Sequence, residues 1–396
     1  MNSDCDVVII GAGPVGSTIA YYLSQNNLKV TIVEKKKEVG YPLQCAGILS
    51  KNIFDYNILP DSVILNKVEG AFLHTQKHVL NVKKDEPVAY IIDRIAYDNF
   101  LLNRAVDSGA KLINQKAVDF DIENGVTYLL NNDEISSKII IGCDGYNSKL
   151  SKKLGNSQKN FMASQVLAEI DLKSMSEFRN SNQIDNHVDT YLLNDALPGF
   201  IWIIPLKNNR YRVGLFSNQN YKKQSELLTE FLDKNFNYSI IEKYRGFIPV
   251  YDDNNQIVNN RAILIGDAAG QIKPTSGGGL LIGFDACKMA CKYVVEAISQ
   301  DNIDILKKYQ KEFNKTYQKE FNYQFKVHKT LNLLNDEDLD FLFLKLKEND
   351  CETLISTYGD MDTQSTLVKE FIKRGLIFKI IPSFLFKKVI KIFGFR

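Results

Sequence analysis

The stretch DVVIIGAGPVGSTIAYYLSQNNLKVTIVE, residues 6–34, decides the fold class of this chain. An apolar, β-branched run leads through a glycine turn into an amphipathic segment, and a second apolar run ends at Glu34. Gly11 permits a tight turn, Gly13 leaves space for a pyrophosphate, and Gly16 lets the helix pack closely on the strand. The helix N-terminus offers free N–H groups and partial positive charge to phosphates. The pattern predicts a βαβ dinucleotide-binding unit in which Glu34 accepts the ribose hydroxyls.

Two later segments repeat the combination of a strand, an acid and glycines. They are KIIIGCDGYNS, residues 138–148, and RAILIGDAAGQIKPTSGGGLLIGFD, residues 261–285. An acid at the end of a strand beside a helix N-terminus suits ribityl hydroxyls and pyrophosphate, and the glycines at 277–279 leave room for a planar ring. The first fingerprint alone does not separate NAD from FAD. The candidate cofactor-binding residues of all three segments are Gly11, Ala12, Gly13, Gly16, Glu34, Lys35, Asp144, Gly145, Asp267, Gly278 and Gly279.

In this order of motifs the chain resembles the FAD-dependent oxidoreductases of the para-hydroxybenzoate hydroxylase type, from residue 1 to about residue 300. The resemblance implies FAD as cofactor, with Asp267 at the ribityl chain and Asp144 and Gly145 along the pyrophosphate channel. The stretch IIDRIAYDNFLLNRA, residues 91–105, is similar to a helix start of that family and implies that Arg94 lies near the cofactor. A surface arginine in salt bridges is the alternative.

The expected fold class is α/β (α+β overall), with a Rossmann-like FAD-binding domain interleaved with a β-rich substrate domain. The FAD-binding domain is predicted to comprise residues 1–48, 90–160 and 255–300, and the substrate domain residues 49–89 and 161–254. Residues 301–396 are predicted to form a C-terminal helical region. With 396 residues, of which 44% are hydrophobic, the chain is long enough to bury the cores of two joined domains.

Charge and cysteine usage exclude several classes of protein. The 49 basic and 47 acidic side chains give a net charge of +2, so no nucleic-acid partner is expected. Six scattered cysteines and no recognisable secretory signal predict reduced thiols in a cytoplasmic protein. The four histidines form no spaced pair, and no metal site is expected. Lysines interrupt the apolar stretches before they reach the ~20 residues of a transmembrane helix.

A candidate substrate pocket lies in LPGFIWIIPLKNNRYRVG, residues 197–214, which holds the single tryptophan. The stretch resembles the geranylgeranyl reductase motif Pro-x-x-Tyr-x-Trp-x-Phe-Pro. The tryptophan and the last proline match, whereas Phe200 and Ile204 replace the tyrosine and the phenylalanine, and Leu197 replaces the first proline. Strand alternation puts Phe200, Trp202 and Ile204 on one face, which predicts an apolar pocket; ordinary sheet core is the alternative.

The stretch YPLQCAGIL, residues 41–49, follows the first βαβ unit. It resembles the geranylgeranyl reductases, in which a cysteine in a Cys-Ala/Gly-Gly context lies close to the flavin, and the resemblance extends to Cys45, Ala46 and Gly47. Saturating an isolated alkene requires a hydride at one carbon and a proton at the other. Cys45 is the candidate proton donor; flavin orientation, redox gating and a small buried hydrophobe are the alternatives.

The chain is thus similar to the archaeal digeranylgeranylglycerophospholipid reductases. This resemblance implies FAD-dependent saturation of carbon–carbon double bonds in the geranylgeranyl chains of a prenyl lipid. An electron donor is expected as a partner, and the sequence leaves NAD(P)H, ferredoxin and another donor open. A flavin monooxygenase or halogenase shares every cofactor motif and remains an alternative. A non-catalytic flavin redox sensor is a further alternative.

The last stretch, FIKRGLIFKIIPSFLFKKVIKIFGFR, residues 371–396, combines lysines and arginines with many Phe, Ile and Leu, and holds no acid. A basic, aromatic-rich amphipath of this kind suits the surface of an anionic bilayer. Peripheral attachment to the cytoplasmic membrane through the C-terminus is therefore predicted. A helix packed on the protein itself, or on a partner subunit, is the alternative.

Overall fold

The computed structural model describes residues 3–157, 159–179, 186–381, 389, 391 and 392. The helices are α1 (Pro14–Gln25), α2 (Ile53–Tyr56), α3 (Arg94–Asp107), α4 (Lys149–Lys153), α5 (Leu172–Arg179), α6 (Tyr221–Asn235), α7 (Leu280–Ser299), α8 (Lys307–Leu331), α9 (Asp336–Glu348), α10 (Cys351–Tyr358), α11 (Ser365–Lys373) and α12 (Ile377–Ile380). The strands are β1 (Cys5–Ile10), β2 (Val30–Val33), β3 (Ile48–Ser50), β4 (Ile64–Val68), β5 (Gly70–His74), β6 (Val79–Lys83), β7 (Ala89–Ile92), β8 (Lys111–Ile113), β9 (Ala117–Asp121), β10 (Val126–Leu129), β11 (Glu134–Gly142), β12 (Asn160–Ile170), β13 (His187–Tyr191), β14 (Ile201–Pro205), β15 (Arg210–Ser217), β16 (Tyr238–Pro249), β17 (Val258–Asn259) and β18 (Ala262–Leu264). The predicted mixed α/β class is confirmed.

The first sheet contains the βαβ unit that the fingerprint predicts. Its parallel strands run in the order β18-β11-β1-β2-β8, with β17 antiparallel at one edge and the β9–β10 hairpin extending from β11. Helix α1 packs against α3 and α7, and side chains of α7 and α8 share the core of this sheet. Strand β1 is an almost unbroken buried apolar run, as expected for a parallel strand covered on both faces.

The second sheet separates a packed core from a cavity. Its order is β16-β12-β15-β14-β13-β5-β6, and every pairing is antiparallel except that of β13 with β5. One face, which includes Ile203 and Val213, forms an apolar core with α5 and α6. Alternation turns Gln165, Trp202 and other residues of the same strands to the opposite face, where they line the cavity.

The remaining elements connect these layers. Strands β3, β7 and β4 form a small antiparallel sheet, and helices α9 and α10 pack on the edge strand β6 around Leu80. The predicted domain boundaries stay a prediction, but the first sheet draws its strands from residues 5–33, 111–142 and 258–264, and the second from 70–83 and 160–249. Among the described residues, no helix is both long and apolar enough to cross a bilayer.

Candidate functional site

A cavity of about 1230 Å³ lies between the two large sheets and the C-terminal helices. Pockets for one small molecule or cofactor typically enclose roughly 300–1,000 Å³, so this cavity has room for more than one ligand. Apolar side chains of α9, α11 and α12 line it far from the nucleotide-type turns. The predicted site residues that line it are Gly11, Gly13, Glu34, Lys35, Cys45, Ala46, Arg94, Asp144, Gly145, Phe200, Trp202, Ile204, Asp267, Gly278 and Gly279.

Two predicted residues lie behind the cavity wall instead. Ala12 is fully buried, and its N–H donates to Glu34 Oε2 at 2.7 Å. Gly16 packs against the turn, because a Cβ there would lie 1.9 Å from the carbonyl oxygen of Gly11. Gly11 itself has φ +102, and a Cβ on it would come within 2.5 Å of the Cys143 carbonyl oxygen. These contacts hold the turn after β1 between α1 and the end of β11.

The N-terminus of α1 opens into the cavity and suits a phosphate group. Pro14 occupies the first helical position, the N-cap residue Gly13 makes no side-chain cap, and the first turn holds no acid. A Cβ at Gly13 or Gly145 would meet no atom within 4 Å, which leaves the backbone open to a ligand. Asp144 Oδ1 is buried without a hydrogen-bond partner among the described residues. Free N–H groups, an open backbone and an unpaired acceptor fit the pyrophosphate and hydroxyls of FAD.

The acids at this end have different surroundings. Glu34 is buried, and its Oε1 accepts from the N–H of Lys36 at 2.8 Å, so both carboxylate oxygens already hold the backbone while keeping lone pairs for a ribose. Burial raises the pKa of Asp144, against the hydrogen bonds it accepts. Asp267 lines the cavity and is exposed there. Desolvation by the surrounding protein raises the pKa of its carboxyl group, and the nearby Arg94 opposes that rise.

Cys45 lines the same cavity, in a loop held by the buried Arg212. Its sulfur accepts the N–H of Gly47 at 3.4 Å. Arg212, on β15, donates from Nη1 to the Ala46 carbonyl at 3.0 Å and to the Ile92 carbonyl at 3.1 Å. Burial lowers the pKa of Arg212, and the nearby Cys45 opposes this. A guanidinium thus ties the Cys45 loop to the second sheet.

Arg94 is not a surface residue, since its side chain is only 11% exposed. It begins α3, where the carboxylate of Asp93 caps the helix by accepting from the N–H groups of Ile95 and Ala96, both at 3.0 Å. Its guanidinium makes two parallel hydrogen bonds to Asp98, one turn further along α3, at 3.0 and 3.1 Å. Arg94 therefore places a guanidinium that is already paired with Asp98 at the cavity wall, near Cys45.

The predicted apolar pocket faces the same cavity. Phe200 precedes β14, and Trp202 and Ile204 alternate along it. Phe200 and Trp202 meet edge to face at 6.2 Å, and the indole N–H donates to Gln165 Oε1 at 2.9 Å. With its polar atom satisfied inside the wall, Trp202 turns an apolar ring face toward the cavity.

Sequence reasoning missed three residues of the site: Arg212, Lys273 and Asp362. Arg212 lies within a strand, Lys273 precedes the glycine run at 277–279, and Asp362 lies in a loop far along the chain. Their partners are distant in sequence, so no local pattern reveals them. The one available signal is a charge inside a strand or a glycine-rich loop, which demands a partner when buried.

Known proteins resemble this chain along most of its length. The family model described as an FAD binding domain matches residues 4–321. Digeranylgeranylglycerophospholipid reductase 1 of Methanococcoides burtonii is 31% identical over 88% of this chain and 89% of its own length. An uncharacterized protein of Methanocaldococcus jannaschii is 32% identical over 97% of this chain and 99% of its own length.

A solved structure has the same fold. The crystal structure of a geranylgeranyl bacteriochlorophyll reductase-like protein from Thermoplasma acidophilum superposes with a TM-score of 0.81. It covers 93% of this chain and 98% of its own length, with 24% sequence identity. Because this coverage exceeds the share of the chain in residues 4–321, part of the region after residue 321 belongs to the shared fold.

Proposed function

Since this chain belongs to the FAD-binding domain family and to the family of the digeranylgeranylglycerophospholipid reductases, we propose that it saturates carbon–carbon double bonds in geranylgeranyl chains of isoprenoid lipids. The protein is an FAD-dependent oxidoreductase. The proposal concerns the substrate, the proton donor and the partners.

The observation that supports this substrate most directly is the lining of the cavity. The lining includes the glycine-rich loop before α7, the side chains of Phe200, Trp202 and Ile204, residues of β5 and β6, and apolar side chains of α9, α11 and α12. The apolar part of this lining suits a long hydrocarbon chain. A small polar substrate would leave much of this apolar surface unused.

The side chains around Cys45 suit a reaction that needs one proton in a dry site. When bound, reduced FAD would supply a hydride to one alkene carbon. Cys45 would hold the proton for the other carbon, and Arg212 would fix the loop that carries it. The apolar wall around Trp202 would keep water from competing for that step.

The partners in this proposal are a prenyl lipid, an electron donor and a membrane surface. The donor is NAD(P)H or ferredoxin. Membrane contact would run through the C-terminus, where Phe378 and Lys379 on α12 are exposed. Lys387, Lys388 and Arg396 of the predicted basic amphipath lie outside the described residues.

An anaerobic single turnover tests the reaction. The FAD-loaded protein is reduced with dithionite and mixed with a geranylgeranylated lipid while flavin absorbance and product mass are followed. We expect flavin reoxidation together with a gain of about two mass units per double bond. Flavin that stays reduced until oxygen enters would contradict the proposal and favour a monooxygenase or halogenase.

Cys45→Ser and Cys45→Ala test the proton donor. We expect both variants to retain FAD and to reduce alkenes about 100-fold more slowly, the scale of one general acid. The flavin spectrum is the control for an intact cofactor site. Wild-type turnover in either variant would remove Cys45 from the mechanism.

A further inference from the structure

The connection between α10 and α11 returns to the cavity. These residues, 359–364, are named here the crossing loop. Lys273 Nζ, from the glycine-rich loop before α7, donates to Asp362 Oδ1 and to the carbonyl oxygen of Met361, both at 2.8 Å. All three residues line the cavity. A segment beyond the matched FAD-binding region, which ends at residue 321, thus contacts the loop expected to receive the flavin ring.

The Asp362 carboxylate has further donors. Ser50 Oγ and Asn52 Nδ2 both donate to its second oxygen, the latter at 2.9 Å. The side chains of Lys273 and Asp362 are only 11% and 17% exposed. Burial alone would raise the pKa of Asp362, but Lys273, Ser50 and Asn52 together hold it below its ordinary value. The carboxylate of Asp362 is therefore favoured in its ionised form, and the pair is hydrogen-bonded and largely shielded from bulk water.

The Lys273 ammonium lies directly against Gly278. A Cβ at Gly278 would lie 2.7 Å from Lys273 Cε and 3.1 Å from its Nζ. The N–H of Lys273 also donates to the Gly278 carbonyl at 3.1 Å, which closes the loop on itself. Any planar ring that rests on Gly278 would lie close to the Lys273 ammonium. The carboxylate of Asp362 neutralises the positive charge of that ammonium.

We propose that Lys273 and Asp362 are positioning residues through which the crossing loop sets the net charge beside the flavin ring. The proposal rests on the ring lying at Gly278 and Gly279, as proposed above, and does not depend on the lipid substrate. With both residues present, this pair adds no net charge to the wall beside the ring. With either one removed, one unit of charge remains in a site with little water to screen it.

The test is the reduction midpoint potential of bound FAD, measured without any lipid. Reduction adds electrons to the ring, so a nearby positive charge favours the reduced form and a negative charge opposes it. Asp362→Asn leaves the ammonium unpaired, and we expect a shift to more positive potential. Lys273→Met leaves the carboxylate, and we expect a shift to more negative potential. The double variant should return toward the wild-type value.

Shifts of opposite sign in the midpoint potentials of the two single variants distinguish an effect of charge from a loosening of the loop. Loosening of the loop would shift both midpoint potentials in the same direction. Glu296→Gln and Lys308→Met remove a partly exposed ion pair of 2.7 Å between α7 and α8, and should leave the potential unchanged. Shifts of the same sign in the two single variants, or no shift in either, would overturn the proposal.

If a single variant releases FAD too fast for titration, the double variant decides. Retention of FAD there supports the proposal because no unpaired charge remains, and release there overturns it. Because no lipid is present, these outcomes stand whether or not the anaerobic turnover identifies a prenyl substrate.

Discussion

At the scale of single residues, Gly47 shows how closely the Cys45 loop is fitted to its surroundings. It has φ +73, and a Cβ there would lie 2.1 Å from Arg212 Nη1 and 2.9 Å from the carbonyl oxygen of Ile92. An alanine would add a strained backbone conformation and would displace the guanidinium that holds the loop.

Gly47→Ala is therefore expected to lower turnover by about 10- to 100-fold, because small displacements of a reacting group are costly. Gly109→Ala is the matched control: Gly109 also has positive φ, +103, but a Cβ there meets nothing within 4 Å. The Gly109→Ala substitution should lower the free energy of unfolding of the protein and should leave its turnover unchanged. Equal turnover in the two variants, measured with the same lipid, would contradict the role of this contact.

Asp144 gives the protein a pH-dependent stability. Burial raises the pKa of this acid in the folded protein above its ordinary 3.8, because the buried carboxyl group is more stable when protonated. Asp144 therefore contributes its full share to the free energy of unfolding below pH 3.8, and this contribution is lost as the pH rises through the higher pKa of the folded protein. In the FAD-free protein, Asp144→Asn should add roughly 1–3 kcal/mol at pH 8 and less toward pH 4.5. Thermal unfolding of the wild type and the variant across that pH range measures the difference in stability between them. A difference that becomes smaller as the pH rises would be inconsistent with this account.

The sequence predicts the structural role of a residue well where a tight backbone turn requires that residue. Gly11 and Gly16 follow from the spacing of the fingerprint, since each is required by a close approach of main chain. Arg212 does not follow from sequence, because its partners Ala46 and Ile92 lie more than a hundred residues away. Buried charges satisfied by distant carbonyls leave no periodic signal.

At the scale of elements, β1, α1 and β2 form as the fingerprint predicts, since local propensity and burial pattern agree there. The helix predicted around residues 91–105 is observed as α3, beginning at Arg94 after its cap. The site residues themselves, including the proposed roles of Glu34, Cys45 and Trp202, stay predictions until tested. The C-terminal helices were expected from periodicity, but the return of their connecting loop to the cavity depends on tertiary contacts alone.

Helix α12 is where the membrane hypothesis can be tested. Phe378 is 67% exposed and is followed by Lys379. Phe378→Ser should weaken binding to phosphatidylglycerol vesicles by roughly 10- to 100-fold, because inserting one large apolar side chain contributes about 1.5–3 kcal/mol. Leu130→Ser is the control, since Leu130 is 63% exposed and follows β10, in a different part of the fold. Similar flotation losses in both variants would speak against a specific contact at α12.

At the scale of the whole molecule, one cavity is walled by both large sheets, so its cofactor stabilises both. FAD at 100 times its dissociation constant is expected to add about 2.7 kcal/mol to the free energy of unfolding. Trp202 is the single tryptophan and lies in the second sheet, away from the nucleotide-binding strands. Its fluorescence transition should move to higher temperature with added FAD, together with flavin release. A tryptophan transition indifferent to FAD would show that the two sheets unfold separately.

The contact between Lys273 and Asp362 also constrains how the protein is made. Synthesis on the ribosome proceeds from the N-terminus, so the strands of both sheets emerge before the crossing loop has been translated. Until residue 362 leaves the exit tunnel, Lys273 lacks its carboxylate partner and the cavity lacks part of its wall. The nascent chain thus passes through a stage in which its nucleotide-binding strands exist but its cavity is still open, and this stage offers FAD its widest entrance.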